Sequence, residues 1–120
     1  MRIRKFLKQI IIISTLFLLA NASIAQSQDV NALHETARSF MRQGDFENAQ
    51  LVLDKALTIA PDNLDLLKDQ AFVDYLKRDF SGSIEVGKKI TARPDADVQS
   101  FQILGLAYKA IAMDKERDKM

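Results

Sequence analysis

Residues 33–61 read LHETARSFMRQGDFENAQLVLDKALTIAP, and this stretch decides the fold. Leu33, Ala37, Phe40 and Met41 recur at the i, i+4, i+7, i+8 spacing of a single apolar helix face. Gly44 ends that helix, because glycine enters the left-handed conformation of a helix terminus without steric cost. Asp45 then stands as N-cap of a second helix, with Glu47 adding favourable charge in its first turn. Ala49, Val52, Leu53, Ala56, Leu57 and Ala60 again share one face before Pro61 stops the helix. Asp62 and Asn63 supply the turn and the next N-cap. Two helices joined so tightly pack antiparallel. Ala37, Ala49 and Ala56 are small where the two backbones come closest. At about 13 residues each helix is too short to be stable alone, so packing against neighbours must hold it.

Upstream of this hairpin the composition changes. Residues 1–25 carry Arg2, Arg4, Lys5 and Lys8 and no acidic residue. An eleven-residue apolar run, Ile10 to Ala20, follows, and then Asn21-Ala22-Ser23-Ile24-Ala25. Basic start, short apolar centre and small residues before a cut form the order of a secretory signal peptide. With Ser23 and Ala25 as the small residues, cleavage is expected after Ala25. The competing reading is a membrane anchor formed by residues 10–25. An eleven-residue helix spans only about 16 Å, against a hydrocarbon core of about 30 Å, which favours the signal. Residues 26–29 are polar and are expected to form a loosely ordered lead-in.

The formal net charge of +1 hides this asymmetry. With four of the 17 basic residues in the leader, the other 13 face 16 acidic residues, a net of −3. Such a balance gives no reason to expect a nucleic-acid partner. The chain has no cysteine, which excludes disulfides, thiolate metal sites and a thiol nucleophile.

Laying the opening hairpin over the chain that follows brings Asp45-Phe46 onto Asp79-Phe80, Leu33 onto Leu67 and Ala37 onto Ala71. One fixed offset, with a helix-turn-helix in each unit, marks a repeat architecture. In this respect the chain resembles the tetratricopeptide repeat family. The residues that carry the resemblance are Leu33, Ala37, Phe40, Gly44-Asp45-Phe46, Ala49, Leu53, Ala56 and Pro61. The second unit departs from the pattern, with Ser83 for Ala49, Gly87 for Leu53, Ile90 for Ala56, and Pro94 one position early. A helical glycine costs about 1 kcal/mol relative to alanine, so Gly87 is expected to loosen the second hairpin. A third unit opens with Phe101, Leu104-Gly105 and Tyr108 and then runs into a charged end.

The resemblance implies an all-α solenoid of about two and a half repeats. The expected organisation is a signal peptide over 1–25, a lead-in over 26–29, repeats over 30–63, 64–97 and a partial 98–113, and a charged tail over 114–120. It also implies export to the periplasm or cell envelope and protein or peptide binding on the concave side of the first helices. His34, Arg38 and Arg42 form one ridge on that side, followed by Lys68, Phe72 and Tyr75 in the second unit and Gln102, Leu106 and Lys109 in the third. The lysine-asparagine-arginine clamp that some members use on C-terminal carboxylates is not reproduced. The third first-helix is apolar nearly all round, so Phe101, Leu104 and Tyr108 are candidates for self-association into a homo-oligomer. A structural fragment of a longer array is thus the alternative to a peptide binder.

No enzyme chemistry is legible. His34-Glu35 opens like the zinc motif H-E-x-x-H, but Arg38 occupies the second histidine position and no other histidine exists. His34 is expected to be exposed on a helix face. Asp62, Asp65 and Asp69 lack the glycine and terminal glutamate of a calcium loop and are expected to be turn, cap and solvated surface. No cofactor or metal is expected, and membrane contact only through the signal peptide.

Overall fold

The structure is a computed structural model that describes residues 2–120, without the side chains of Ala22 and Ser23. Ser23 of the expected cleavage site therefore lies outside the described side chains. The described chain is all-helical: α1 (Arg2–Arg42), α2 (Phe46–Ile59), α3 (Leu64–Leu76), α4 (Phe80–Thr91) and α5 (Val98–Arg117). It falls into two compact units, Met1–Ala32 and Leu33–Met120.

The first unit is helical and exposes its apolar side chains, Ile10 to Ile13 and Leu16 to Leu19 among them. By length and composition α1 could cross a membrane, a test that an N-terminal signal sequence also passes. Residues 26–29 are helical rather than loosely ordered. The physical reason is that no glycine or proline occurs before Gly44, so nothing interrupts the helix there.

In the second unit α2 packs on α3, α3 on α4 and α5, and α4 on α5. Small residues occupy much of the buried interior. Ala37, Ala49, Ala56, Ala71 and Ser83 are all fully buried, around Leu53, Leu66, Val73 and Ile90. The turns that join the helices recur at equivalent positions of the two hairpins. Gly44 has φ +74°, and Arg78 occupies the same left-handed region at φ 66°. The Asp45 N–H donates to the Phe40 carbonyl at 2.9 Å, and the Asp79 N–H to the Asp74 carbonyl at 2.8 Å. Both turns thus close a helix end with the same long-reach hydrogen bond. N-caps repeat likewise. Asp45 and Asp79 accept from the N–H groups of Asn48 and Gly82. Asn63 and Asp97 accept from those of Leu66 and Ser100.

Arginine in a left-handed turn is costly, by about 1–2 kcal/mol. Its side chain offsets the cost through two contacts. The Arg78 guanidinium meets both carboxylate oxygens of Asp114 on α5 at 3.0 Å, and it lies 5.4 Å from the centre of the Phe80 ring.

Both departures of the second hairpin from the first, Ser83 and Gly87, are closely packed. Ser83 is buried and its hydroxyl donates to the Ala71 carbonyl at 2.7 Å, fastening α4 to α3. Gly87 is a contact point. A Cβ added there would lie 2.9 Å from Leu104 Cδ1 and 3.2 Å from Leu104 Cβ. The missing side chain is thus replaced by Leu104 of α5. For the same reason Leu104 leaves the self-association set, since it is engaged within the monomer. Its companions do face outward: Phe101 is 57% and Tyr108 44% exposed, whereas Ile103 and Ala107 are buried. Residues 114–117 of the expected tail extend α5, and Asp114 accepts from Arg78 and Arg117.

Two stability measurements test this packing. Gly87→Leu, which restores the first hairpin's residue, lowers unfolding stability by about 2 kcal/mol through overpacking, and Leu104→Ala in the same chain recovers part of the loss. At the strained turn, Arg78→Gly is more stable to unfolding than Arg78→Ala by about 1 kcal/mol, because both lose the guanidinium contacts and only glycine relieves the backbone.

Candidate interaction face

The face expected to bind a partner is built from α1 and α3. His34 and Arg38 are one turn apart on α1, and both reach the same oxygen of Asp69 on α3. His34 Nε2 lies 2.7 Å and Arg38 Nε 3.0 Å from Asp69 Oδ2. The hydrogen bond to Asp69 holds the Arg38 guanidinium above its ordinary pKa, with Glu35 adding to the effect. His34 is therefore a paired group, its side chain only 13% exposed, and not the solvated histidine expected. Asp69 is likewise buried rather than solvated. A carboxylate placed opposite two nitrogen-bearing side chains on the neighbouring helix is drawn inward, because leaving any of the three unpaired would be costly.

Lys68 repeats the arrangement between α3 and the start of α5. Its Nζ lies 2.7 Å from Asp97 and 2.9 Å from Asp65. Burial pulls its pKa down, but the hydrogen bonds to Asp97 and Asp65 outweigh that and leave it raised. The same ammonium, helped by the N–H and hydroxyl of Ser100, holds the Asp97 carboxyl down to about 2. Lys68 lowers Asp65 as well. Asp97 is thus at once N-cap of α5 and counter-ion of α3.

The aromatic candidates form a second cluster. Phe72 and Tyr75 have nearly parallel rings with centroids 6.1 Å apart. Tyr75 meets Phe80 at 5.7 Å in a tilted pair. All three rings are half-buried, so part of each remains available to solvent. Arg42 is exposed beyond the paired cations. The structure therefore joins His34, Arg38 and Lys68 to an acidic seam and Phe72 and Tyr75 to each other. Arg42 stands outside both groups.

Sequence reasoning misses the acidic half of the face. Acids spaced i, i+3, i+7, as Asp62, Asp65 and Asp69 are, resemble a solvated stripe, and Asp97 carries no mark of its own. The available signal is that Asp69 adjoins Lys68 and takes the place of Glu35 in the second unit, on a ridge that must meet α1.

Asp74 is also unforeseen. It is buried at the position where the first hairpin has Phe40. Burial, with further repulsion from Asp79 and Asp54, raises its carboxyl to about 6 despite the opposing charge of Lys77. Lys77 is itself held by Glu47 at 3.1 Å and by Gln50.

Among the described residues no group of three or more His, Asp or Glu side chains is placed to hold a metal ion. Comparison with known proteins finds no family model, no curated protein and no solved structure that the chain matches.

The Asp74 carboxyl yields a pH prediction. Its folded pKa is raised above the unfolded value of 3.8. The stability it confers is therefore complete below pH 3.8 and lost as pH rises through about 6. Asp74→Asn should be more stable than the natural chain at pH 7.5, by about 2–3 kcal/mol, with the difference shrinking to near zero at pH 4. Chemical denaturation at the two pH values measures it.

Proposed function

We propose that this chain is an exported tetratricopeptide-type interaction module of the periplasm or cell envelope, without chemistry of its own. Its leader would be removed after Ala25, and its partner would be a peptide or protein segment held on the face of α1 and α3. The observation that carries the proposal is the recurrence of structure from one hairpin to the next, above all the left-handed turns at Gly44 and Arg78 and the N-caps that follow them. Recurrence of helical hairpins is what builds a continuous concave surface from units that could not bury their own faces.

The chemistry of that surface favours an apolar anchor over a simple acidic grip. His34, Arg38 and Lys68 each already hold a carboxylate. A ligand acid would have to displace Asp69 or Asp97. The half-buried ring pair Phe72 and Tyr75 offers stacking area at low entropic cost. Arg42 on the same expected face is exposed and can meet a ligand charge. The fitting ligand is an extended segment with an aromatic or branched apolar residue next to an acidic one.

Affinity capture from the envelope fraction tests this. Partners retained by the natural chain should be lost from the variant Arg42→Glu with Tyr75→Ala, while its far-ultraviolet circular dichroism and sedimentation stay the same. Retention of the same partners by that variant would remove the groove from consideration.

A further inference from the structure

We infer that Gln26 is a covalent modification site: once the leader is removed, it closes on itself to give an amino-terminal pyroglutamyl residue. The inference rests on cleavage after Ala25, as proposed above, and not on partner binding by α1 and α3. Three observations carry it.

First, the chemistry is complete within one residue. A cut after Ala25 turns the backbone nitrogen of Gln26 into the α-amine of the mature chain. Among the amide side chains, only glutamine closes an unstrained five-membered ring onto its own amine. The amine nitrogen attacks Cδ of the same side chain and forms the lactam C–N bond. The Cδ–Nε2 bond breaks, and the side-chain nitrogen leaves as ammonia, taking one proton from the amine. No oxidant, reductant or second reactant is consumed.

Second, nothing covers the site. Gln26, Ser27, Gln28 and Asp29 are all exposed. In the uncut chain α1 runs through this point, from Arg2 to Arg42, and a helical N–H here pairs with the carbonyl four residues back. Cleavage takes that carbonyl away with the leader, so the Gln26 nitrogen loses its helical acceptor.

Third, the start of mature α1 differs from every other helix start in the chain. The helices that follow begin at Asp45, Asn63, Asp79 and Asp97, each accepting from the N–H three residues on. Three of these caps are carboxylates, set against the positive end of a helix dipole. Mature α1 would instead begin on an ammonium, the wrong sign for that end, with Asp29 as the first acid beyond it. Lactam formation removes this charge and so favours the helical start. It also leaves an aminopeptidase no free amine to grip, which suits a chain exposed to envelope proteases.

The test uses protein recovered from the envelope fraction of cells expressing the full chain. Its intact mass should equal that of residues 26–120 less one ammonia, and N-terminal sequencing should be blocked. Gln26→Ser, an exposed substitution with no amide to expel, should be cut at the same bond, keep its full mass and sequence freely from residue 26. A natural chain that begins at Gln26 and keeps a free amine through storage at neutral pH would overturn the inference and leave export and processing standing. An uncut chain, or one that begins at another residue, would overturn both. Loss of ammonia from Gln26→Ser as well would place the reaction elsewhere and overturn the assignment to Gln26.

Discussion

Close approach between short helices is the constraint on which the second unit depends. Helices α2 to α4 have 12 to 14 residues, and such lengths do not hold a helix in water without tertiary support. Support must come from backbones brought near enough to share dispersion contacts. Ala37, Ala49, Ala56, Ala71 and Ser83 make that possible by being small and fully enclosed. Gly87 carries the same logic to its limit, where the neighbouring helix supplies the side chain that the position lacks. A single principle thus covers residues that look dissimilar in the sequence.

The first helices are fastened differently. Between α1 and α3, and between α3 and the start of α5, polar and charged side chains span the gap: Asp69 between His34 and Arg38, and Lys68 between Asp65 and Asp97. Such pairs contribute modestly to net stability, since desolvation offsets much of the attraction. Their geometry is selective, because Asp69 and Lys68, the buried members, would each be left as an unpaired charge without their partners. Apolar contacts therefore set how close the helices come, and the acidic seam sets their register.

The helices are legible in the sequence because their signals are local. Apolar periodicity, the glycine at 44, the proline at 61 and the caps at Asp45 and Asn63 each act within a turn or two of where they stand. The pairings across helices stay hidden. His34 and Asp69 are 35 residues apart, and Lys68 and Asp97 are 29 apart. Nothing in the order of residues says that these acids turn inward. Gly87 misleads for a related reason: helix propensity describes an isolated helix, and here the decisive contact comes from Leu104 on another element. The candidate face is accordingly half visible in the sequence, its cations and rings identified and its anions unseen.

Arg78 ties the turn of the second hairpin to the far end of α5, as Lys68 and Asp97 tie α3 to its start. It sits in the tight turn of the second hairpin, and its guanidinium grips Asp114 in the last quarter of α5. The last long helix is thereby latched to a turn whose backbone is already under steric load. Tension applied at the C-terminal end of α5 would reach the second hairpin along this one side chain before it reached the apolar core. Releasing the latch would free Arg78 to relax while α5 stayed held by Leu104 against Gly87 and by Asp97 against Lys68, so the turn would yield before the packed faces do.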